Sequence, residues 1–237
     1  MLIKTPAIVL SAIKYGDSGK IIKFFTLNHG LTSCISKSIY AKKNKTNSLL
    51  IPFNLVELVY DEKPNQNLHF LKEINSTTHF NSIHLQPEKT TIVLFLTEIL
   101  NAVLKEEEQN FALFDFLENS IRAFDQKNSG YADFHLWFLL NLTQFLGFYP
   151  HLKKGFSYFD LNNGISTQEI PHEIYISDSD LFHFEKLISL DFHDQSQSQF
   201  SQNQRKSILS TLLKYYELHI SDFRQPKSLE ILNQVFS

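Results

Sequence analysis

Between residues 5 and 74 the apolar positions fall into five short runs, separated by turn-forming or polar residues, and none sustains a helical period. These runs predict strands. The first covers about 7–13, with Ile8 and Leu10 on one face, and Tyr15-Gly16-Asp17-Ser18-Gly19 supplies the turn of a hairpin. The second, 20–27, is rich in Ile and Phe and ends at Asn28-His29-Gly30, where glycine can take the positive φ of a tight connection. The third runs from Leu31 to about Tyr40. A polar stretch, 41–48, separates it from the fourth, 50–60, in which Phe53, Leu55 and Val59 alternate with polar or partner-facing positions. After a turn at 61–67, the fifth run, 68–74, sets Leu68, Phe70 and Ile74 on one face and His69, Leu71 and Glu73 on the other. Five strands in so short a span predict a small barrel of the OB type.

From Pro87 the period changes. Ile92, Leu96, Ile99 and Val103 recur three or four apart, and Pro87 suits the first turn of the helix they predict. Glu106, Glu107 and Glu108 fall where the macrodipole disfavours negative charge, so they mark the exit from that helix. A second helix lines up Phe111, Phe114, Leu117, Ile121 and Phe124 behind a cap at Asn110. A third carries Phe134, Trp137, Phe138, Leu142 and Phe145 and stops at Gly147 and Pro150. Aromatic side chains at this spacing read as core rather than as a ligand box.

The stretch 147–171 is less regular, with a turn at Asn162-Asn163-Gly164. Ser177 and Asp180 resemble a capping box that opens a helix with Leu181, Phe184 and Ile188 inward. Residues 194–204, dominated by Ser and Gln, read as an exposed loop. Arg205-Lys206 then leads a helix with Ile208, Leu212, Tyr215 and His219 on its stripe, and a last short helix carries Leu229, Leu232 and Phe236. The expected fold is therefore α+β, with a five-stranded OB-fold barrel over 1–80 followed by an all-helical domain over 81–237.

Composition agrees with a folded chain: 43% of the 237 residues are hydrophobic, and 22 Phe stand against 7 Gly and 7 Pro. No apolar run approaches the roughly 20 residues of a membrane helix. The apolar stretch 7–13 is interrupted by Ser11, followed by Lys14 and lacks a small-residue cleavage site, so a cytoplasmic protein is expected. Cys34, the single cysteine, lies in an alternating segment and reads as a space filler.

Net charge is only −3, but it is unevenly distributed. Residues 1–80 hold ten Lys against five Asp or Glu, a balance of +5 that leaves −8 for the remainder. A cationic module joined to an acidic one is the pattern of a phosphate-binding domain on a protein of neutral appearance. Lys37, Lys42, Lys43 and Lys45 surround the connection between the third and fourth strands, with Tyr40 in their midst and no acid between them. Small barrels bind single strands by pairing such a positive groove with aromatic faces on which bases stack. Lys14, Lys20 and Lys23 are candidates to extend the same surface. The plainer reading is a solvated lysine loop, with Tyr40 packed against the barrel.

These residues also carry a family resemblance. Thr5-Pro6-Ala7-Ile8-Val9-Leu10, then Tyr15-Gly16-Asp17-Ser18 with Lys20-Ile21-Ile22 and Phe25-Thr26 before Gly30, resembles the N-terminus of the RecO family. The run Lys42-Lys43-Asn44-Lys45, then Pro52-Phe53, Leu55-Val56-Glu57-Leu58 and Leu71-Lys72-Glu73, follows in that family's order and spacing. The chain departs from the pattern at Ser38 and Tyr40, which stand where a Gly and a basic residue are expected.

The resemblance implies a non-enzymatic mediator of DNA repair and homologous recombination in the bacterial nucleoid. Such a protein binds single- and double-stranded DNA, anneals complementary strands and helps load recombinase on strands coated by single-strand DNA-binding protein. It implies a RecR-like partner and capture of the C-terminal tail of that coat protein by the helical domain, for which Arg205, Lys206 and Lys214 are candidates; a solvated helix face is the alternative. Many relatives carry a zinc-binding insertion after a motif like Leu146-Gly147-Phe148-Tyr149-Pro150, built on paired cysteines. Those cysteines are absent here, and His151 and His172 alone do not make a four-ligand site, so no metal and no other cofactor are expected. The insertion, around 148–176, would be held instead by packing of Phe148, Phe156, Tyr158 and Phe159.

No glycine-rich phosphate loop, zinc-protease helix, serine elbow or pair of metal-binding carboxylates occurs at working spacing, so no catalytic residue is assigned. A metal-dependent nuclease built on Glu106, Glu107, Glu108 and a distant acid is the least favoured reading, since adjacent helical residues face different ways. The remaining alternative is a protein-interaction scaffold whose barrel does not touch DNA.

Overall fold

Strand β1 (Leu2–Tyr15) organises the N-terminal half, pairing antiparallel with β2 (Gly19–Thr26) on one side and with β4 (Leu55–Asp61) on the other. Strand β3 (Gly30–Ser36) pairs antiparallel with β2, β5 (His69–Ser76) pairs antiparallel with β4, and a short parallel contact between β3 and β5 closes a five-stranded barrel of order β1-β2-β3-β5-β4. The computed structural model describes residues 1–17, 19–36, 45–62, 66–105, 108–193 and 196–236, and of residues 45 and 46 only the backbone. They form two compact units, Met1–Asp125 and Gln126–Ser237.

The barrel interior is filled by alternate residues of its strands, among them Ile3, Ala7, Val9, Ile22, Phe24, Cys34, Leu58 and Tyr60. Burial pushes the Cys34 thiol up to about 12, which leaves it protonated and inert at neutral pH, a space filler. A bulge between Val9 and Ser11 adds Leu10 to the ladder. Beside it, the Phe53 amide donates to Val9 O (2.8 Å) and the Val9 amide to Asn54 O (3.0 Å). These bonds hold Phe53 at φ 67°, fully buried. The left-handed backbone costs about 1 kcal/mol, which burial of the ring, worth about 1.5–3 kcal/mol, outweighs.

Four sequence expectations are corrected in this unit. The stretch 50–53 is a turn and not part of β4, because the chain bends to seat Phe53. Part of the expected loop 41–48 is a five-residue helix, α1 (Lys45–Leu49). Leu71 shares the barrel-facing side with Ile74 although alternation separates them, since a register shift between Val59 and Tyr60 leaves Lys72 unpaired and turns the strand by one residue. Phe111, placed on the buried stripe of its helix by spacing, is 52% exposed at the first turn.

Two helices complete the unit. Helix α2 (Pro87–Val103) buries Ile92, Leu96, Ile99 and Val103 with Pro87 at its start. Helix α3 (Phe111–Gln126) is capped by Asn110, whose Oδ1 accepts from the Leu113 amide at 3.0 Å, and buries Phe114, Leu117, Ile121 and Phe124. The Asn101 amide donates to Leu10 O of β1 (3.3 Å), and the rings of Phe25 and Phe114 stack at 6.3 Å. Asp125, at the end of α3, accepts from the amides of Asn81, Ser82 and Ile83 and from the Ser82 hydroxyl. Lys89, fully buried, donates to Ser82 Oγ (2.7 Å) and to the carbonyls of Phe124 (2.8 Å) and Asp125 (3.2 Å).

The second unit is helical, with α4 (Phe134–Phe145), α5 (Asp178–Ile188), α6 (Gln202–His219) and α7 (Leu229–Val235). The stretch expected to be irregular also carries a three-stranded sheet of order β7-β6-β8, from β6 (Tyr158–Asp160), β7 (Ile165–Thr167) and β8 (Tyr175–Ser177). Phe159, fully buried in β6, packs on Phe184 and Tyr215, and Phe148 lies parallel to the His219 ring at 5.1 Å. Tyr158 meets Tyr175 edge-on, and His219 Nε2 donates to Leu161 O (2.9 Å).

Two helix starts differ from the sequence reading. No capping hydrogen bond forms at Ser177, whose hydroxyl instead faces the Asp178 carboxylate, and α5 turns Leu187 inward where Ile188 was expected. The capping box is at Ser201 and Gln204, so α6 begins inside the tract that composition marks as loop.

Gly164 ends the turn between β6 and β7 at φ 65°, where an added Cβ would stand 2.5 Å from the Tyr215 hydroxyl, itself held by Phe148 O (3.0 Å). Gly164→Ala combines a left-handed backbone penalty with this clash. The expected loss is about 2 kcal/mol, seen as a fall in Tm of about 6 °C.

Candidate nucleic-acid interface

The hairpin between β1 and β2 sets Lys14 directly opposite Lys20, and β3 places Ser36 opposite Lys20 on the other side. Like charges facing each other across a ladder destabilise it, so this rung gains from an anion lying over it. Lys14 is exposed and Lys20 half-buried. Counting from Val9 across the bulge, Lys14 has the same facing as Ala12, and Lys20 the same as Ile22, so both lysines stand at the barrel's end above its interior. Lys23 belongs to the outer face, between Ser11 and Ser33.

Lys37, Tyr40, Lys42 and Lys43 lie outside the described residues, as does the side chain of Lys45. The two ends of that run, however, are fixed. It leaves β3 at Ser36, paired with Lys20, and re-enters at α1, where Asn47 Oδ1 accepts from Lys20 Nζ at 2.9 Å. Lys20 therefore ties both ends of the basic segment to the rung that carries Lys14. Lys4, also in this half, is spent elsewhere: Glu57 lies 2.8 Å away and raises its pKa.

Of the three candidate partner-binding cations in the second unit, only Lys206 lines an open groove without a hydrogen-bond or ion-pair partner among the described residues. That groove, about 280 Å³ between α6 and α7, is bounded by Leu209, Leu213, Leu229, Gln225 and Asn233. Arg205 is mostly buried; its Nη1 donates to Phe200 O (2.6 Å) and lies 3.6 Å from Asp133, whose carboxyl burial raises. Lys214 lies 3.2 Å from Glu217 on the next turn and is not part of the groove wall.

Among the described residues no three His, Cys, Asp or Glu side chains converge as metal ligands, and no helix is long and apolar enough to cross a membrane. His151 contributes its amide, to Gly164 O at 2.8 Å, rather than its ring. Glu106 and Glu107 lie outside the described residues.

One exposed aromatic residue beside the candidate lysines escaped the sequence reading. Tyr15 is 53% exposed beside the Lys14–Lys20 rung, and spacing had given it only a role in the turn. Its position opposite Gly19 was the signal, since a ladder partner without a side chain leaves a ring uncovered.

Family comparisons divide the chain at much the same place as the composition. The model described as Recombination protein O N terminal matches residues 1–80, and that described as Recombination protein O C terminal matches 84–230. The chain is 37% identical over 239 residues to the DNA repair protein RecO of Christiangramia forsetii. It is 36% identical over 241 residues to that of Flavobacterium psychrophilum, and 35% identical over 241 residues to that of Bacteroides fragilis. In each case all of both chains is covered.

Proposed function

Because the chain belongs to the RecO family of DNA repair proteins, we propose that it is a recombination mediator that works by binding rather than by catalysis. The barrel takes single- and double-stranded DNA by its phosphates, and two complementary strands held on one cationic surface repel each other less and anneal without nucleotide consumption. A RecR-like partner and the C-terminal tail of single-strand DNA-binding protein bring it to coated strands, where it helps recombinase replace the coat. Its place is then the nucleoid within the cytoplasm. Lys206 above the apolar floor of the α6–α7 groove offers a cation and a hydrophobic seat for an acidic tail with an apolar end.

The observation that carries this reading is the convergence at one end of the barrel: Lys14 faces Lys20, and Lys20 pins both ends of the segment that holds Lys37, Lys42, Lys43 and Lys45. The test is annealing of complementary oligonucleotides coated with the cognate single-strand DNA-binding protein. Annealing faster than the spontaneous rate, lost when that protein's tail is deleted, is expected. No acceleration on bare or coated strands, with no salt-dependent DNA binding, would leave the scaffold reading in its place.

A further inference from the structure

The outer face of the β1–β2–β3 sheet is sorted into rungs. Ser11, Lys23 and Ser33 pair across one, and Ile13, Ile21 and Ile35 across the next. Beyond them Tyr15 pairs with Gly19. Towards the other end of the same face, Ile8 pairs with Phe25 and both are buried, Phe25 against Phe114 of α3. The cover stops there. Ile13 is 60% and Tyr15 53% exposed, an apolar pair at alternate positions of a twisted strand where water faces both. Among the described residues the Tyr15 ring and hydroxyl have no hydrogen-bond or ring partner. Gly19 keeps the space across the ladder open and is fixed as glycine, since a Cβ there would meet Tyr15 O at 2.8 Å.

We propose that Tyr15, with Ile13 beside it, is the platform on which this protein stacks unpaired bases, while Lys23 and the Lys14–Lys20 rung hold the adjoining phosphates. Charge selects this occupant over an apolar peptide or a second copy of the chain. Lys23 shares the outer face with the exposed pair, Lys14 and Lys20 stand at the adjoining barrel end on the opposite side of the same strands, and Asp17 in the turn is the only acid among the described residues of the hairpin. Rungs two residues apart lie about 6.6 Å from each other, close to the reach of one nucleotide from phosphate to base. An aromatic ring accepts any base because every base has a π face, so this contact carries affinity for single strands without sequence preference.

The inference rests on the DNA-binding reading above and deepens it, and the experiment separates the two. Binding of labelled oligothymidylate and of an abasic strand of equal length is titrated across a salt series for the full chain, Tyr15→Ala and Tyr15→Phe. Tyr15→Ala is expected to lose about 5- to 150-fold in affinity for oligothymidylate. Its affinity for the abasic strand and its salt slope should stay at wild-type values, since the phosphate contacts remain, and Tyr15→Phe should bind as wild type does. Equal affinity of Tyr15→Ala and wild type for oligothymidylate, or an equal loss on both strands, overturns the stacking role while leaving phosphate binding intact. Absence of salt-dependent binding by the wild type overturns both readings together.

Discussion

Asp125→Ala is expected to cost about 3–5 kcal/mol of unfolding free energy, because it strips a buried carboxylate from three backbone amides, a hydroxyl and a nearby buried ammonium at once. Burial alone would raise the Asp125 carboxyl, but the amides of Asn81, Ile83 and Ser82 more than offset it and hold the group below its ordinary value of 3.8. Burial pushes Lys89 down to about 8, against the pull of Asp125, so it still carries its proton at neutral pH.

A depressed carboxylate contributes fully above its unfolded pKa, and the contribution is lost as pH falls through the folded value. The difference between wild type and Asp125→Ala should therefore be constant from pH 5 to 7 and shrink as pH falls below about 4. Urea midpoints at a series of pH values measure it, with an unchanged m-value showing that the denatured state is the same. Asp125→Asn keeps one acceptor but turns an amide group towards backbone donors, and should fall between the two. A loss below about 1 kcal/mol for Asp125→Ala would mean that the carboxylate does not close the 81–83 segment.

Replacing Lys42, Lys43 and Lys45 together by Ala should weaken single-strand binding about a hundredfold near 0.1 M salt. The slope of log affinity against log salt should fall by about 2, at roughly 0.7 for each phosphate contact on a single strand. Annealing should fall with it. Since Lys20 and Asn47 hold the segment's ends independently of those side chains, the barrel's stability should not change. Unchanged affinity and slope would remove the segment from the interface and return the binding to Lys14, Lys20 and Lys23.

How far the molecule could be read from its sequence depended on the range of the interactions involved. Strands β1, β2, β3 and β5 and helices α2, α3 and α4 rest on nearest-neighbour turns and on runs of Ile, Phe and Leu, and their periodicity is plain. What spacing missed had a cause at a distance. Leu71 joins Ile74 only because Lys72 drops out of register opposite Val59 and Tyr60. The small sheet depends on Phe159 finding Phe184 and Tyr215, residues brought to it by other helices. Asp125 and Ser82, forty-three positions apart, carry no local mark of their contact. In the candidate interface the cationic character was legible as a charge imbalance, whereas the solvent-facing Tyr15 became visible only through its partner Gly19.

The clasp on Asp125 has a practical meaning for anyone dividing this protein. The family models part near residue 80, yet the carboxylate that ties down residues 81–83 arrives at the end of α3, and the Phe114 ring stacked on Phe25 belongs to the same helix. An excised barrel ending at residue 80 would bare Ile8, Leu10 and Phe25 to water and be prone to self-association. The smallest fragment whose behaviour can stand for the intact DNA-binding half is the one that keeps both helices and ends just beyond Asp125.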